Sequence, residues 1–100
     1  MRKLRTIDNV EEEYLRNHPE EMDQYLNTLF EEYAKDGDIK VLLSSLRVVS
    51  RVKGVGAIAE SAGLTRNGLQ KALSEGGHPK FESINAILNA MGYYLKPQKI

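Results

Sequence analysis

The spacing of apolar residues along the chain predicts helices rather than strands. Between Pro19 and Gly37, apolar side chains recur at steps of three and four residues, which places them on one face of an α-helix. These side chains are Met22, Tyr25, Leu26, Leu29, Phe30 and Tyr33. Pro19 suits the first turn of this helix, and Gly37 is expected to end it.

A second helix is predicted from residue 39 up to the glycine at position 54. Asp38 is a suitable N-cap, because its carboxylate can accept a hydrogen bond from a free backbone N–H of the first turn. The predicted buried stripe consists of Ile39, Leu42, Leu43, Leu46, Val49 and Val52.

The last helix is predicted over residues 80–91, where the sequence reads KFESINAILNAM. Its predicted inward side chains are Phe81, Ile84, Ile87, Leu88 and Met91, and Gly92 is expected to end it. The two ends of the chain are less regular. Residues 1–9 are predicted as an extended arm or a short strand, residues 10–17 as one or two helical turns, and residues 93–95 as strand-like.

The stretch AIAESAGLTRNGLQKALSEGG, residues 57–77, predicts two short helices joined by a sharp corner. Ala59 is small enough for two helices to cross closely, and Gly63 can take the positive φ that such a corner needs. Leu64 and Leu69 then point into the core. Counted from Val55, these residues have the spacing of a helix-turn-helix.

The second helix of this corner has a polar outward face. Thr65 can cap its first turn, and Arg66, Asn67, Gln70 and Lys71 point away from the core. Arg can pair with guanine, and Asn and Gln with adenine, so the sequence predicts a face that reads DNA. Three flanking residues are predicted to contact phosphates, namely Lys53, His78 and Lys80.

The same pattern has a structural interpretation that the sequence leaves open. Small residues and leucines at these positions also occur in a helical corner that only packs a core, and a solvated helix has a similar polar face. Gly68 is unfavourable near the start of a helix. Its missing side chain either allows a close approach to DNA or has no function.

These elements predict an all-α protein of about five helices, with a helix-turn-helix domain and a helical extension before it. Residues 1–36 would form an N-terminal arm and an acidic helix. Residues 37–100 would form the DNA-binding domain and a C-terminal dimerisation tail, and the two parts are expected to pack as a single domain.

Composition narrows the classes of function. The chain has 100 residues and no cysteine, which excludes a disulfide framework and a cysteine-ligated metal site. No signal sequence or membrane span is evident, so we expect a cytoplasmic protein. His18 and His78 both adjoin a loop proline, and no catalytic motif is present. We therefore expect neither an enzyme nor a cofactor or metal.

The net charge of zero conceals two oppositely charged halves. Residues 1–40 contain six Lys and Arg against eleven Asp and Glu, a charge of −5, whereas residues 41–100 contain eight against three, a charge of +5. The basic half suits a polyanion, and the acidic half suits a basic protein or plain solvation.

The chain resembles the antidote proteins of addiction modules, specifically the HigA-like helix-turn-helix antitoxins of the Cro/repressor-like group in bacteria and prophages. The resemblance is carried by GLTRNGLQKALS and by the later FESINAIL, which a proline precedes. Gly68 and Lys80 depart from that pattern, since the family more often has a helix-forming or small polar residue and a capping Thr or Ser there.

The resemblance implies two activities. Such proteins bind a RelE-like toxin and suppress its ribosome-associated RNA cleavage, and they bind operator DNA as dimers to repress their own operon. RelE-like toxins are generally basic, so the acidic segment is the expected toxin contact. Its candidate residues are Glu11, Glu12, Glu13, Glu20 and Glu21.

The C-terminal apolar residues are the candidates for dimerisation, because one recognition helix reads too little DNA for useful specificity. They are Met91, Tyr93, Tyr94 and Leu95. Alternatively, they fold back on the core of their own chain. Two other functions also remain open: a stand-alone phage-type repressor without a toxin partner, and a protein-interaction module that does not bind DNA.

Overall fold

A computed structural model describes residues 7–100, and within that range every regular element is helical. There are six α-helices and one short 3-10 helix, Pro19–Glu21. The α-helices are α1 (Ile7–Asn17), α2 (Met22–Asp36), α3 (Ile39–Lys53), α4 (Val55–Ala62), α5 (Arg66–Ala72) and α6 (Phe81–Ala90). The predicted all-α class is confirmed, with six helices instead of about five.

The extra helix is α1, which was expected to be only one or two turns. It is 11 residues long, and Leu15 holds it against α3 with only 2% of its surface exposed. The predicted arm or strand over residues 1–9 is therefore wrong for residues 7–9. Residues 1–6 lie outside the described residues. The helix ends before Pro19, which starts the 3-10 helix.

The predicted end of α2 and the predicted start of α3 are confirmed by capping bonds, whereas α2 begins at Met22 and not at Pro19. The Gly37 N–H donates to the Tyr33 carbonyl at 2.7 Å and ends α2. The Asp38 carboxylate accepts from the Val41 N–H at 3.3 Å and starts α3. These local signals act within a few residues, which is why the sequence alone predicts them.

Helix α3 forms the centre of the fold. Four of its side chains are fully buried, namely Leu43, Leu46, Val48 and Val49. It packs against α1, α2 and α4, so its buried surface is wider than one stripe and includes Val48 and Ser50. Ile39 was predicted to be buried but is 38% exposed, because it stands in the first turn at the edge of the packed region.

One hydrophobic cluster contains residues from all six helices, so the segments before and after residue 37 share a core. Helix α6 contributes Ile87 and Leu88 and packs mainly against α4. Phe81 was predicted to face inward, but it is 75% exposed because it is the first residue of α6 and lies at the rim of the core. The strand-like character predicted for residues 93–95 is also wrong, since they have no regular structure.

Candidate nucleic-acid interface

The corner between α4 and α5 has the geometry that its sequence predicts. Gly63 adopts φ +74°, a left-handed conformation that a glycine takes without steric cost. The Leu64 N–H donates to the Ala59 carbonyl at 2.8 Å, which closes the last turn of α4. Ala59 is 1% exposed, so the small side chain at this position is fully used in packing.

Helix α5 is held at its start by a cap and along its inner side by leucines. The Thr65 hydroxyl accepts a hydrogen bond from the Gly68 N–H at 2.9 Å. Leu69 and Leu73 are each 1% exposed. A helix of seven residues is too short to be stable alone, so these contacts fix its position.

The predicted reading residues lie together on the outer side of α5. Four exposed polar side chains form this reading ridge, namely Arg66, Asn67, Gln70 and Lys71. The Thr65 side chain is exposed as well, but its hydroxyl is engaged as the cap. The ridge combines two cations with two amides, the side-chain types that pair with phosphates and base edges.

A cleft of about 450 Å³ separates the ridge from α3. Arg66 and Gln70 line one wall, and Arg47 and Arg51 of α3 line the other. Sequence reasoning did not place these two arginines beside the ridge. Their spacing of four residues puts them on the same side of α3, but only the folded structure shows that this side faces the ridge.

Arg47 links α3 to the end of α5. Its guanidinium donates a hydrogen bond to the carbonyl of Leu73, one of the carbonyls left free at a helix C-terminus. A cation also suits the negative end of the helix dipole. Arg47 therefore fixes the orientation of α5 relative to α3.

Arg51 is paired with α1. Its Nε lies 2.7 Å from a carboxylate oxygen of Glu12, and Arg16 lies 3.0 Å from the other oxygen. The hydrogen bond from Arg51 lowers the pKa of Glu12 below its usual value, against an opposing effect of burial. The carboxylate of Glu12 is thus used to attach α1 to α3.

A second groove, of about 550 Å³, lies on the opposite side of the ridge. Lys71, His78 and Lys80 line it, so two predicted phosphate contacts stand close to the reading ridge. Lys53 does not line either space beside α5. Its Nζ lies 5.8 Å from the ring centroid of Tyr93.

The loop that carries His78 is pressed tightly against the end of α5. A β-carbon at Gly77 would lie 2.8 Å from the Lys71 carbonyl oxygen and 2.9 Å from that of Ala72. Only a glycine permits this approach, because both neighbours are backbone atoms. The sequence pattern gives no indication of this contact.

Gly68 donates the capping hydrogen bond to Thr65. A β-carbon there would lie 3.1 Å from the Thr65 hydroxyl oxygen, which is a tight contact with a side chain rather than with the backbone. Gly68 also lines the groove on the His78 side. A close approach to DNA at this position stays a prediction.

The candidate dimerisation residues differ in their exposure. Met91 is 4% exposed and belongs to the core of its own chain, whereas Tyr94 is 75% exposed. The Tyr93 hydroxyl donates to Asp23 of α2, and Leu95 packs against the core. Burial, together with that hydrogen bond, raises the pKa of Tyr93 to about 12. Met91, Tyr93 and Leu95 thus fold onto their own chain, which leaves Tyr94 as the free candidate.

The candidate toxin contacts on α1 and the 3-10 helix also differ. Glu12 is turned toward α3, whereas Glu13 and Glu20 are exposed to solvent. Glu11 and Glu21 each accept a hydrogen bond from a tyrosine, Tyr25 and Tyr14 respectively. Neutralising Glu12 would therefore disturb the fold as well as the charge.

Within residues 7–100, no helix is both long enough and apolar enough to span a membrane. The same described range contains no group of three or more His, Asp or Glu side chains arranged to hold a metal ion.

These features define a small helical protein built around a two-helix corner with a cationic outer ridge. The sequence profile of the family described as "Probable addiction module antidote protein" matches residues 4–99. The chain belongs to this family, and an antidote implies a toxin as its partner.

One curated relative comes from Haemophilus influenzae (strain ATCC 51907 / DSM 11121 / KW20 / Rd) and bears the name "Uncharacterized protein". It is 34% identical over 80 residues, which are 80% of this chain and 78% of that protein. No solved structure matches the chain.

Proposed function

We propose that this antidote is HigA-like: it neutralises a RelE-like toxin and, as a dimer, represses its own operon by reading operator DNA with α5. The observation that carries DNA reading is the exposed ridge of Arg66, Asn67, Gln70 and Lys71 on a helix fixed by a cap and two buried leucines. Such a ridge suits the major groove of DNA.

The surroundings of the ridge support the same proposal. Two predicted phosphate contacts, His78 and Lys80, line the groove on one side of it. Arg47 and Arg51 line the space on the other side, but both are already bonded within the protein. Phosphate contacts from His78 and Lys80 would supply affinity and register, whereas the ridge would supply sequence preference. Lys53 is the predicted phosphate contact that this arrangement does not support, because it lies beside Tyr93.

DNA reading is tested by binding to the promoter DNA upstream of the chain's own gene. We expect Arg66→Ala and Gln70→Ala each to cost about 1–3 kcal/mol of discrimination between that DNA and a scrambled duplex. Lys40→Ala, which removes an exposed cation from the first turn of α3, is the control and should keep full discrimination. The measurement is a titration at several salt concentrations.

The outcome also separates the alternatives. If the wild-type chain binds neither promoter nor scrambled DNA, it is a protein-interaction module that does not bind DNA. If it binds both equally, the proposed reading of the operator sequence fails. If it reads the promoter but does not bind the product of the adjacent reading frame, the proposed neutralisation of that product fails instead. Sedimentation of the free chain as a monomer at micromolar concentration would contradict the proposed dimer.

A further inference from the structure

Helices α1 and α2 leave an open groove between them. Both pack against α3 but make few direct contacts with each other, so their facing sides diverge. The space has a volume of about 410 Å³. We call it the tyrosine groove, and its apolar walls are formed by Val10, Tyr14, Leu15 and Tyr25.

The apolar walls of the tyrosine groove are incompletely covered. Val10 is 52% exposed and Tyr14 is 47% exposed, whereas Leu15 is buried in the core. Removing apolar surface from water is favourable. A concave apolar surface with these exposed side chains is therefore suited to receive an apolar group.

The rim of the groove is acidic. Glu11 lies on α1 and Glu21 at the end of the 3-10 helix, and both line the groove. The Tyr14 hydroxyl donates to Glu21 at 2.7 Å, and the Tyr25 hydroxyl donates to Glu11 at 3.4 Å, so tyrosines hold both carboxylates at the edge. Among the described residues that line the groove, none is Lys, Arg or His.

We infer that the tyrosine groove is the docking site for a cationic segment of the toxin, which inserts an apolar side chain between α1 and α2. The inference rests on the proposed toxin neutralisation. It adds a defined apolar pocket to a toxin contact that was otherwise argued from charge alone. The apolar walls anchor the segment, and the carboxylates of Glu11 and Glu21 meet its cations. Glu12 is excluded from this contact, because Arg16 and Arg51 occupy it.

The test places a charge in the groove and compares it with a matched position elsewhere. Val10→Lys puts an ammonium group against the apolar walls, while Val41→Lys makes the same change on α3 at a valine with nearly the same exposure, 53%. The probe is the purified product of the reading frame adjacent to this chain's gene, measured by calorimetry. We expect Val10→Lys to weaken binding about tenfold or more, because its charge would lose water on binding, and Val41→Lys to leave it unchanged.

A second measurement uses only the wild-type chain, so it does not require any variant to fold. Hydrogen exchange of the full wild-type chain, with and without that product, should show slowed exchange in α1 and α2 around the groove. If binding is intact but protection appears only elsewhere, or if Val10→Lys binds like Val41→Lys, the groove proposal is overturned while neutralisation stands. If the wild type does not bind, both are overturned.

A second copy of this chain is the competing occupant. In that case the wild type alone would sediment as a dimer, and Val10→Lys would convert it to a monomer whereas Val41→Lys would not. That result would overturn the docking of toxin in this groove.

Discussion

Gly77 shows how one residue can fix the loop beside the reading ridge. Its α-carbon faces the carbonyl oxygens of Lys71 and Ala72 at the end of α5, where no side chain could fit. The next residue, His78, is one of the proposed phosphate contacts. The position of that contact thus depends on the absence of a side chain at its neighbour.

We expect Gly77→Ala to destabilise the fold by about 1–3 kcal/mol, because the added methyl group would overlap backbone atoms that cannot move aside. Gly76→Ala is the matched control, since a β-carbon there meets nothing within 4 Å. Urea denaturation of both variants measures the difference. Equal stability of the two variants would show that the loop does not press on α5 as described.

At the residue scale, the sequence predicted the residues whose role depends on near neighbours. Asp38 and Thr65 cap helices through bonds that span three residues, and Gly63 takes the positive φ of the corner. The exposure of Phe81 could not be predicted in the same way. Whether the first residue of a helix is covered depends on elements that are distant in sequence.

At the scale of elements, the attachment of α1 to α3 depends on a small ionic cluster. Glu12 pairs with Arg51, and Arg16 contacts both the Glu12 carboxylate and the Arg51 carbonyl. Arg51 also lines the cleft beside the reading ridge. The helix that carries acidic candidate toxin contacts is therefore joined directly to the surroundings of the candidate DNA-reading helix.

We expect Glu12→Gln to reduce stability by about 1 kcal/mol at neutral pH, since it removes a charged partner from Arg51. The folded-state pKa of Glu12 is lowered, so its contribution is present above about pH 4.3, the ordinary glutamate value, and is lost as the pH falls through the lowered pKa.

The measurement for Glu12→Gln is urea denaturation between pH 2 and pH 7. The stability difference from the wild type should shrink toward the acid end of that range. Glu31→Gln, at an exposed position on α2, is the control and should differ little from the wild type at any pH. A difference that does not change with pH would contradict the role given to the charge.

At this scale the sequence predicted α2 to α6 well and α1 poorly. The five later helices have strong local signals, namely caps, glycines and regular apolar faces. Helix α1 has one buried leucine and is held by contacts with Arg51, 39 residues away from Glu12. Arg47 likewise binds a carbonyl 26 residues away, so neither contact leaves a local pattern in the sequence.

For the whole molecule, the C-terminal tail is attached to helices from the first half of the chain. Tyr93 donates to Asp23, a residue 70 positions earlier, and the ring of Tyr93 lies beside Lys53 at the end of α3. Tyr93 therefore connects the tail to α2 and α3 together. This arrangement corresponds to the alternative interpretation of the tail as part of its own core.

We expect Tyr93→Phe to cost about 1 kcal/mol at neutral pH through loss of the bond to Asp23. In the wild type, the pKa of Tyr93 is raised from about 10 to about 12, so its contribution is present below pH 10 and is lost as the pH rises toward 12. Tyr93→Phe should therefore lose less stability than the wild type as the pH rises from 10 toward 12.

Thermal denaturation at pH 9 to pH 11.5 tests this expectation, together with the ultraviolet titration of tyrosine ionisation. Tyr94→Phe is the control, because the Tyr94 side chain is 75% exposed. An unchanged tyrosine titration in Tyr93→Phe above pH 11 would mean that Tyr93 does not have the raised pKa.

The residues that hold α5 against the core are different from the residues exposed on its ridge. This has a consequence for how such modules diverge. Leu69 and Leu73 hold the helix, while Arg66, Asn67 and Gln70 are exposed. If α5 reads DNA as proposed, a duplicated gene could acquire a new operator by exchanging ridge residues without repacking its core. Two copies in one cell would then bind different operators after only a few surface substitutions.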